Sequence, residues 1–148
     1  MGYVESIRAK VGDELLIVAG VGVFVIDGDK ILMQKRKDNM CWGIHGGAIE
    51  IGECTEEAAR RELFEESGLV AKQLELLGVF SGKDMMYTYP NGDRVQIVSI
   101  AYICRDYSGT LLKNSEEVSE FRWFSFCDIP HNVSKPERKQ IEFFLNYM

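Results

Sequence analysis

Gly47-Ala48-Ile49-Glu50-Ile51-Gly52-Glu53-Cys54-Thr55-Glu56-Glu57-Ala58-Ala59-Arg60-Arg61-Glu62-Leu63-Phe64-Glu65-Glu66-Ser67-Gly68-Leu69 is the stretch on which the reading of this chain turns. Residues 55–67 carry a helical period. Thr55 suits the N-cap, Glu56 and Glu57 suit the positive N-terminal end, and Gly68 suits the stop. Between Glu50 and Glu66 stand seven glutamates against two arginines, Arg60 and Arg61. At about 100° per residue, Glu62, Glu65 and Glu66 share one helix face. Like charges at those spacings destabilise a helix, and the one well-oriented pair, Glu57 with Arg61, returns only a few tenths of a kcal/mol. A divalent cation resolves the conflict: hard Mg²⁺ takes carboxylate oxygens, waters and phosphate oxygens.

Ahead of the helix, residues 42–53 read as a loop with four glycines, where backbone can approach an ion or ligand closely. Upstream, residues 15–26 are apolar on both alternating faces and rich in Val and Ile, as a central strand covered on both sides would be. Asp27-Gly28-Asp29 turns the chain into a second strand, 31–36. Tyr3, Val4, Ile7 and Val11 recur at helical spacing and predict a short amphipathic helix before the apolar run. Downstream, strands are expected at 69–80, 85–89, 95–104 and 121–126, with a turn at Pro90-Asn91-Gly92-Asp93. Ser134-Lys135-Pro136-Glu137 has the capping-box pattern and opens a helix with the apolar stripe Ile141, Phe144 and Leu145.

The 148 residues suit one domain, 1–148, without an internal boundary. Seventeen Lys plus Arg against 23 Asp plus Glu leave a net charge of −6. No global field draws such a chain to nucleic acid or to an anionic membrane. The apolar run is shorter than the ~20 residues of a spanning helix. The N-terminus lacks a secretory pattern, and Cys41, Cys54, Cys104 and Cys127 form no C-x-x-C pair, so a cytoplasmic protein with reduced, mostly packed thiols is expected.

With its spacing unbroken, the series Gly47, Glu53, Arg61, Glu62, Leu63, Glu65, Glu66, Gly68 and Leu69 resembles the box of the Nudix hydrolases. The likeness spans nearly the whole chain: Arg36, Trp42-Gly43 and Glu120-Phe121-Arg122-Trp123-Phe124 sit where Nudix chains carry similar residues. It implies an α/β (α+β) fold, an α/β/α sandwich with a mixed sheet flanked by helices, in a small MutT-like member. It also implies hydrolysis of the pyrophosphate linkage in a nucleoside diphosphate joined to another moiety, a (d)NTP or an ADP-ribose or nucleotide-sugar compound. The cofactor implied is Mg²⁺, with Mn²⁺ as the alternative. The partner is a small-molecule nucleotide rather than nucleic acid or membrane, and a homodimer is left open.

By the same resemblance Glu65 and Glu66 are the principal metal ligands, the Gly46 carbonyl completes the inner shell, and Glu53 reaches toward a second ion. Glu62 is the candidate for activating water, with Glu116 or Glu117 as the alternative outside the box. Arg61 orients a box carboxylate. Arg36 is read as a phosphate contact or as an exposed strand-end arginine. Residues 81–89, with Lys83 and Tyr87, are read as a base and phosphate contact or as an ordinary hairpin. Phe121 and Trp123 belong to the pocket or, more in keeping with strand aromatics, to the core. His45 departs from the family, standing where many members have proline; a partly exposed loop histidine is expected, with a less rigid loop.

Three rivals differ in class or chemistry. A Nudix-fold sensor binds nucleotide without cleaving it but usually lacks box carboxylates. An isoprenoid diphosphate isomerase needs a catalytic cysteine, for which Cys41 is unconvincing. RNA decapping wants a basic stripe that this chain lacks. Substrate choice falls to the loops at 83–93 and 114–120.

Overall fold

The apolar run forms β1 (Leu16–Asp27), and its alternation explains the layers. Val21, Val23 and Val25 point to one side and Phe24 and Ile26 to the other, each set into its own core cluster. β2 (Lys30–Arg36) follows through a turn in which Gly28 has φ +63°. In the computed structural model, which describes residues 2–113 and 115–148, eight strands make one mixed sheet. The others are β3 (Trp42–Gly43), β4 (His45–Ala48), β5 (Leu69–Phe80), β6 (Met86–Thr88), β7 (Arg94–Gly109) and β8 (Val118–Ser125). The sheet runs β3-β2-β1-β7-β5, with β4 also on β1, β6 on β7 and β8 on β2. Among the described strands only the β1–β7 ladder, Leu16↔Val95 to Val25↔Cys104, is parallel.

Three helices flank the sheet: α1 (Tyr3–Val11), α2 (Thr55–Ser67) and α3 (Lys135–Tyr147). α2 buries Ala58, Ala59 and Leu63 against Val21, Val23 and Leu69 on one face. α3 buries Ile141 and Phe144 on the other, and the Phe144 ring stacks on Phe24 with centroids 4.7 Å apart. The expected α/β/α sandwich is therefore present. No described helix is long and apolar enough to cross a membrane.

Several local expectations need correction. Much of the glycine-bearing segment is strand, not loop: 42–43 form β3, and β4 pairs antiparallel with β1, Gly20↔Ala48 through Val23↔His45. The first half of β1 is not covered on both sides, since Ile17 is 72% exposed. The helix at 3–11 forms but buries none of its residues. Cys54, not Thr55, is the N-cap of α2, and the Thr55 hydroxyl instead meets the Tyr102 hydroxyl at 2.5 Å. Glu137 does not close a capping box; its carboxylate accepts the Ile44 N–H at 3.3 Å. Of the cysteines, only Cys104 is buried, and Cys54 and Cys127 are exposed. Asn114, in the loop expected to set specificity, lies outside the described residues.

Candidate active site

α2 stops where Gly68 takes the left-handed conformation, φ +82°, that a side chain would resist. Burial of Ala58, Ala59 and Leu63 fixes the helix's rotation and leaves Glu62, Glu65 and Glu66 facing β4 and the cleft. β4 can lie this close because two of its four residues, Gly46 and Gly47, carry no side chain. A Cβ on Gly46 would sit 2.1 Å from the Val21 carbonyl oxygen, and one on Gly47 would sit 2.5 Å from Glu62 Cδ. These glycines are the signal that the strand must approach both β1 and the helix.

Arg61 gathers the acidic side chains. Its Nε donates to Glu53 at 2.6 Å and its Nη2 to the other Glu53 oxygen at 2.9 Å. Nη1 reaches Glu62 at 2.9 Å and Glu65 at 3.3 Å, and Nη2 also reaches the Ala48 carbonyl at 3.1 Å. Glu53 also accepts the Glu50 N–H at 2.8 Å. These hydrogen bonds, Arg61's above all, hold its carboxyl below the usual range. Glu53 and Arg61 do not line the cleft. Burial raises the Glu62 carboxyl; Arg61 opposes the shift, while Glu65 and Glu117 add to it.

Glu66 is 7% exposed, and burial pushes its pKa up to about 8 despite two donors. The Gly46 N–H bonds one oxygen at 2.8 Å, and Gln34 Nε2 bonds the other at 3.1 Å. Gln34 Oε1 in turn lies 2.6 Å from His45 Nδ1. His45 is fully buried on β4, contrary to the expectation of a partly exposed loop residue, and burial lowers its pKa to about 3. Gln34 was not singled out from sequence, although one amide closing the apolar series Ile31-Leu32-Met33 is the pattern of a buried polar group with a task.

The carboxylates open onto a cleft of about 780 Å³ that runs over Gly20 and Gly22 to the α3 side. There Ser99 donates to Gln140 at 2.9 Å, and burial raises the Glu137 carboxyl to about 7. Tyr87 and Tyr89 form one wall in edge-to-face contact, and the Tyr87 hydroxyl accepts from Asn39 at 2.7 Å. Arg36 lines the cleft but is engaged by Asp38 through two bonds, 3.0 and 2.8 Å. Glu116 and Glu117 are exposed at the rim. Lys83 is exposed and is not among the residues that line the cleft. Phe121 and Trp123 pack against the α2-side core. Glu137 is a further cleft group missed in the sequence, where it reads as a helix-start residue.

The donor set suits a hard cation. Glu62, Glu65 and Glu66 line the cleft beside Gly46 and Gly47, and burial raises both Glu62, against the pull of Arg61, and Glu66. Among the described residues no three acidic, histidine or cysteine side chains are already closed around one point. Glu65 is exposed enough to turn inward, its side chain 57% accessible.

A family model described as NUDIX domain matches residues 16–144. The chain is 38% identical over 110 residues to an ADP-ribose pyrophosphatase of Methanocaldococcus jannaschii, covering 72% of this chain and 61% of that protein. It is 29% identical over 133 residues to a MutT-like protein of Streptomyces ambofaciens, covering 90% and 79%. Its fold is similar to the crystal structure of a MutT NUDIX hydrolase from Burkholderia pseudomallei, with TM-score 0.73, 28% identity and coverage of 85% and 96%. Match, box geometry and fold agree, and the chain belongs to the NUDIX family of hydrolases acting on phosphoric anhydride bonds.

Proposed function

We propose that this chain hydrolyses the pyrophosphate linkage of a nucleoside diphosphate joined to another moiety, with ADP-ribose as the leading substrate and Mg²⁺, or Mn²⁺, as cofactor. The observation that carries the reading is the shape of the cleft: Glu62, Glu65 and Glu66 at one end, and a polar pocket with Tyr87, Ser99 and Gln140 at the other. About 780 Å³ falls in the range of small-molecule sites. The name of the archaeal relative supports ADP-ribose. The net charge of −6 supports a small molecule over a nucleic-acid strand. Four free cysteines, two of them exposed, support a reducing, cytoplasmic setting.

In this reading Glu65, Glu66 and the Gly46 carbonyl hold the cation, which when bound neutralises phosphate charge and acidifies water. Glu62 takes the proton of the attacking water, as its raised affinity for protons and its place in the cleft allow. A new P–O bond forms at phosphorus and the bridging P–O bond breaks, releasing two monophosphates. Arg61 keeps Glu62 and Glu65 aimed, and Glu53 keeps Arg61 in place.

The test is turnover of ADP-ribose, nucleotide sugars, dinucleoside polyphosphates and (d)NTPs with Mg²⁺, paired with Glu65→Gln. Metal-dependent release of AMP and ribose 5-phosphate from ADP-ribose, lost in the variant, is the expected result. A folded protein that binds ADP-ribose and cleaves nothing is a sensor, and the hydrolase reading fails.

A further inference from the structure

Glu66 is the one box carboxylate that Arg61 does not touch. Its orientation is set from the sheet instead. The Gly46 N–H binds Oε1 and the Gln34 amide binds Oε2, so each oxygen has one lone pair taken on the protein side. A glutamine amide can turn over, and the reversed form would set its carbonyl against the Glu66 carboxylate. His45 opposes this in its Nδ1–H tautomer, whose N–H can bond the Gln34 carbonyl but has no lone pair to offer the amide NH2. Gln34 Oε1 is a carbonyl and can only accept, so at 2.6 Å the His45 Nδ1–H must donate. That bond selects the ring tautomer and leaves Nε2 as a bare acceptor, the one buried side-chain polar atom without a partner among the described residues. A buried ring with a single partner is a costly element, and its one bond goes to the group that aims Glu66. Phe121 stacks beside the ring, centroids 6.1 Å apart, and holds its plane.

We infer that Gln34 and His45 are a positioning pair for Glu66: His45 fixes the Gln34 amide, and Gln34 fixes the carboxylate in the rotamer that receives the cation. The inference rests on the reading of Glu66 as a cation ligand. Both side chains are buried, and both act through Glu66, as partners behind a ligand do in metal sites.

The test is Mn²⁺ binding to the substrate-free protein, measured by electron paramagnetic resonance for wild type, Gln34→Met, His45→Phe and the double variant. Gln34→Met should weaken Mn²⁺ about tenfold and His45→Phe about threefold. The double variant should bind as Gln34→Met does, because His45 acts only through the amide. The KM for ADP-ribose at saturating metal should stay at the wild-type value. Wild-type affinity in Gln34→Met, or losses that multiply in the double variant, would overturn the proposal. Should Gln34→Met fail to fold, His45→Phe decides: Mn²⁺ bound as tightly as by wild type overturns it. A protein that binds Mn²⁺ yet cleaves no nucleotide refutes the hydrolase reading, while the variant series is scored unchanged.

Discussion

Arg61 grips Glu53 through two separate nitrogens, Nε at 2.6 Å and Nη2 at 2.9 Å, and so has Nη1 free to hold Glu62 and Glu65. Only a planar fork can serve both tasks, because a lysine ammonium is a single point. Arg61→Lys should therefore keep the fold, with an unchanged circular dichroism spectrum, and lower kcat by about 10- to 100-fold. Steady-state kinetics against ADP-ribose checks it, and wild-type kcat in the lysine variant would contradict the role.

Gly46 and Gly47 should separate stability from chemistry. A methyl at Gly46 meets the Val21 carbonyl oxygen at 2.1 Å, backbone against backbone, so Gly46→Ala should force β4 off β1 and lower the melting temperature. A methyl at Gly47 meets the Glu62 carboxylate instead. Gly47→Ala should melt near wild type yet lose about 100-fold in kcat, the cost of misplacing a reacting group by an ångström. Calorimetry and kinetics on the two proteins distinguish the effects.

Glu137 gives stability a pH dependence. Its ordinary value is 4.5, and burial raises it to about 7, against the Ile44 N–H and Arg36, which favour the carboxylate. Tyr89 and Asp38 complete the charged and titratable neighbourhood around Arg36. Between those two values the unfolded chain has released a proton that the folded chain retains, so raising the pH favours unfolding across that window. Glu137→Gln removes this contribution. The melting temperature of the variant minus that of wild type should rise from pH 4.5 to 7 and level off above; a flat difference would show that Glu137 is not the titrating group.

Phe144 anchors α3, with no exposed surface and its ring stacked on Phe24. Phe144→Ala should cost about 3 to 5 kcal/mol. At roughly 2 to 4 °C per kcal/mol for a chain of this size, melting should fall by about 6 to 20 °C in a thermal scan.

What the sequence revealed follows from where local rules and tertiary demands agree. α2 was legible to both ends, because the periodic alanines, the glutamate spacing and Gly68 all act within the helix. The strand at 69–80 was equally plain. β3 and β4 were not legible, since glycine signals a loop unless one knows that β1 lies 2.1 Å from a would-be Cβ. His45 was misjudged for the same reason: its burial depends on a strand pairing across more than twenty residues. Gln34 and Glu137 gained their places from neighbours remote in sequence, Glu66 and Ile44. Lys83 stands in a 3-10 turn, Lys83–Met85, that the residues alone did not announce, and it lies outside the lining of the cleft.

The parallel ladder between β1 and β7 joins Leu16 to Val95 and Val25 to Cys104, with α2 and β5 held in the crossover. Such a pairing spans some eighty residues and is slow to close, since chain entropy must be lost before any bond forms. The carboxylate helix therefore rides on the very segment whose docking completes the sheet. β4, which supplies Gly46 and Gly47, needs β1 as its template. The topology predicts that no catalytic module folds ahead of its scaffold. In a refolding experiment, the recovery of cation affinity and the burial of the central strand should run with one time constant.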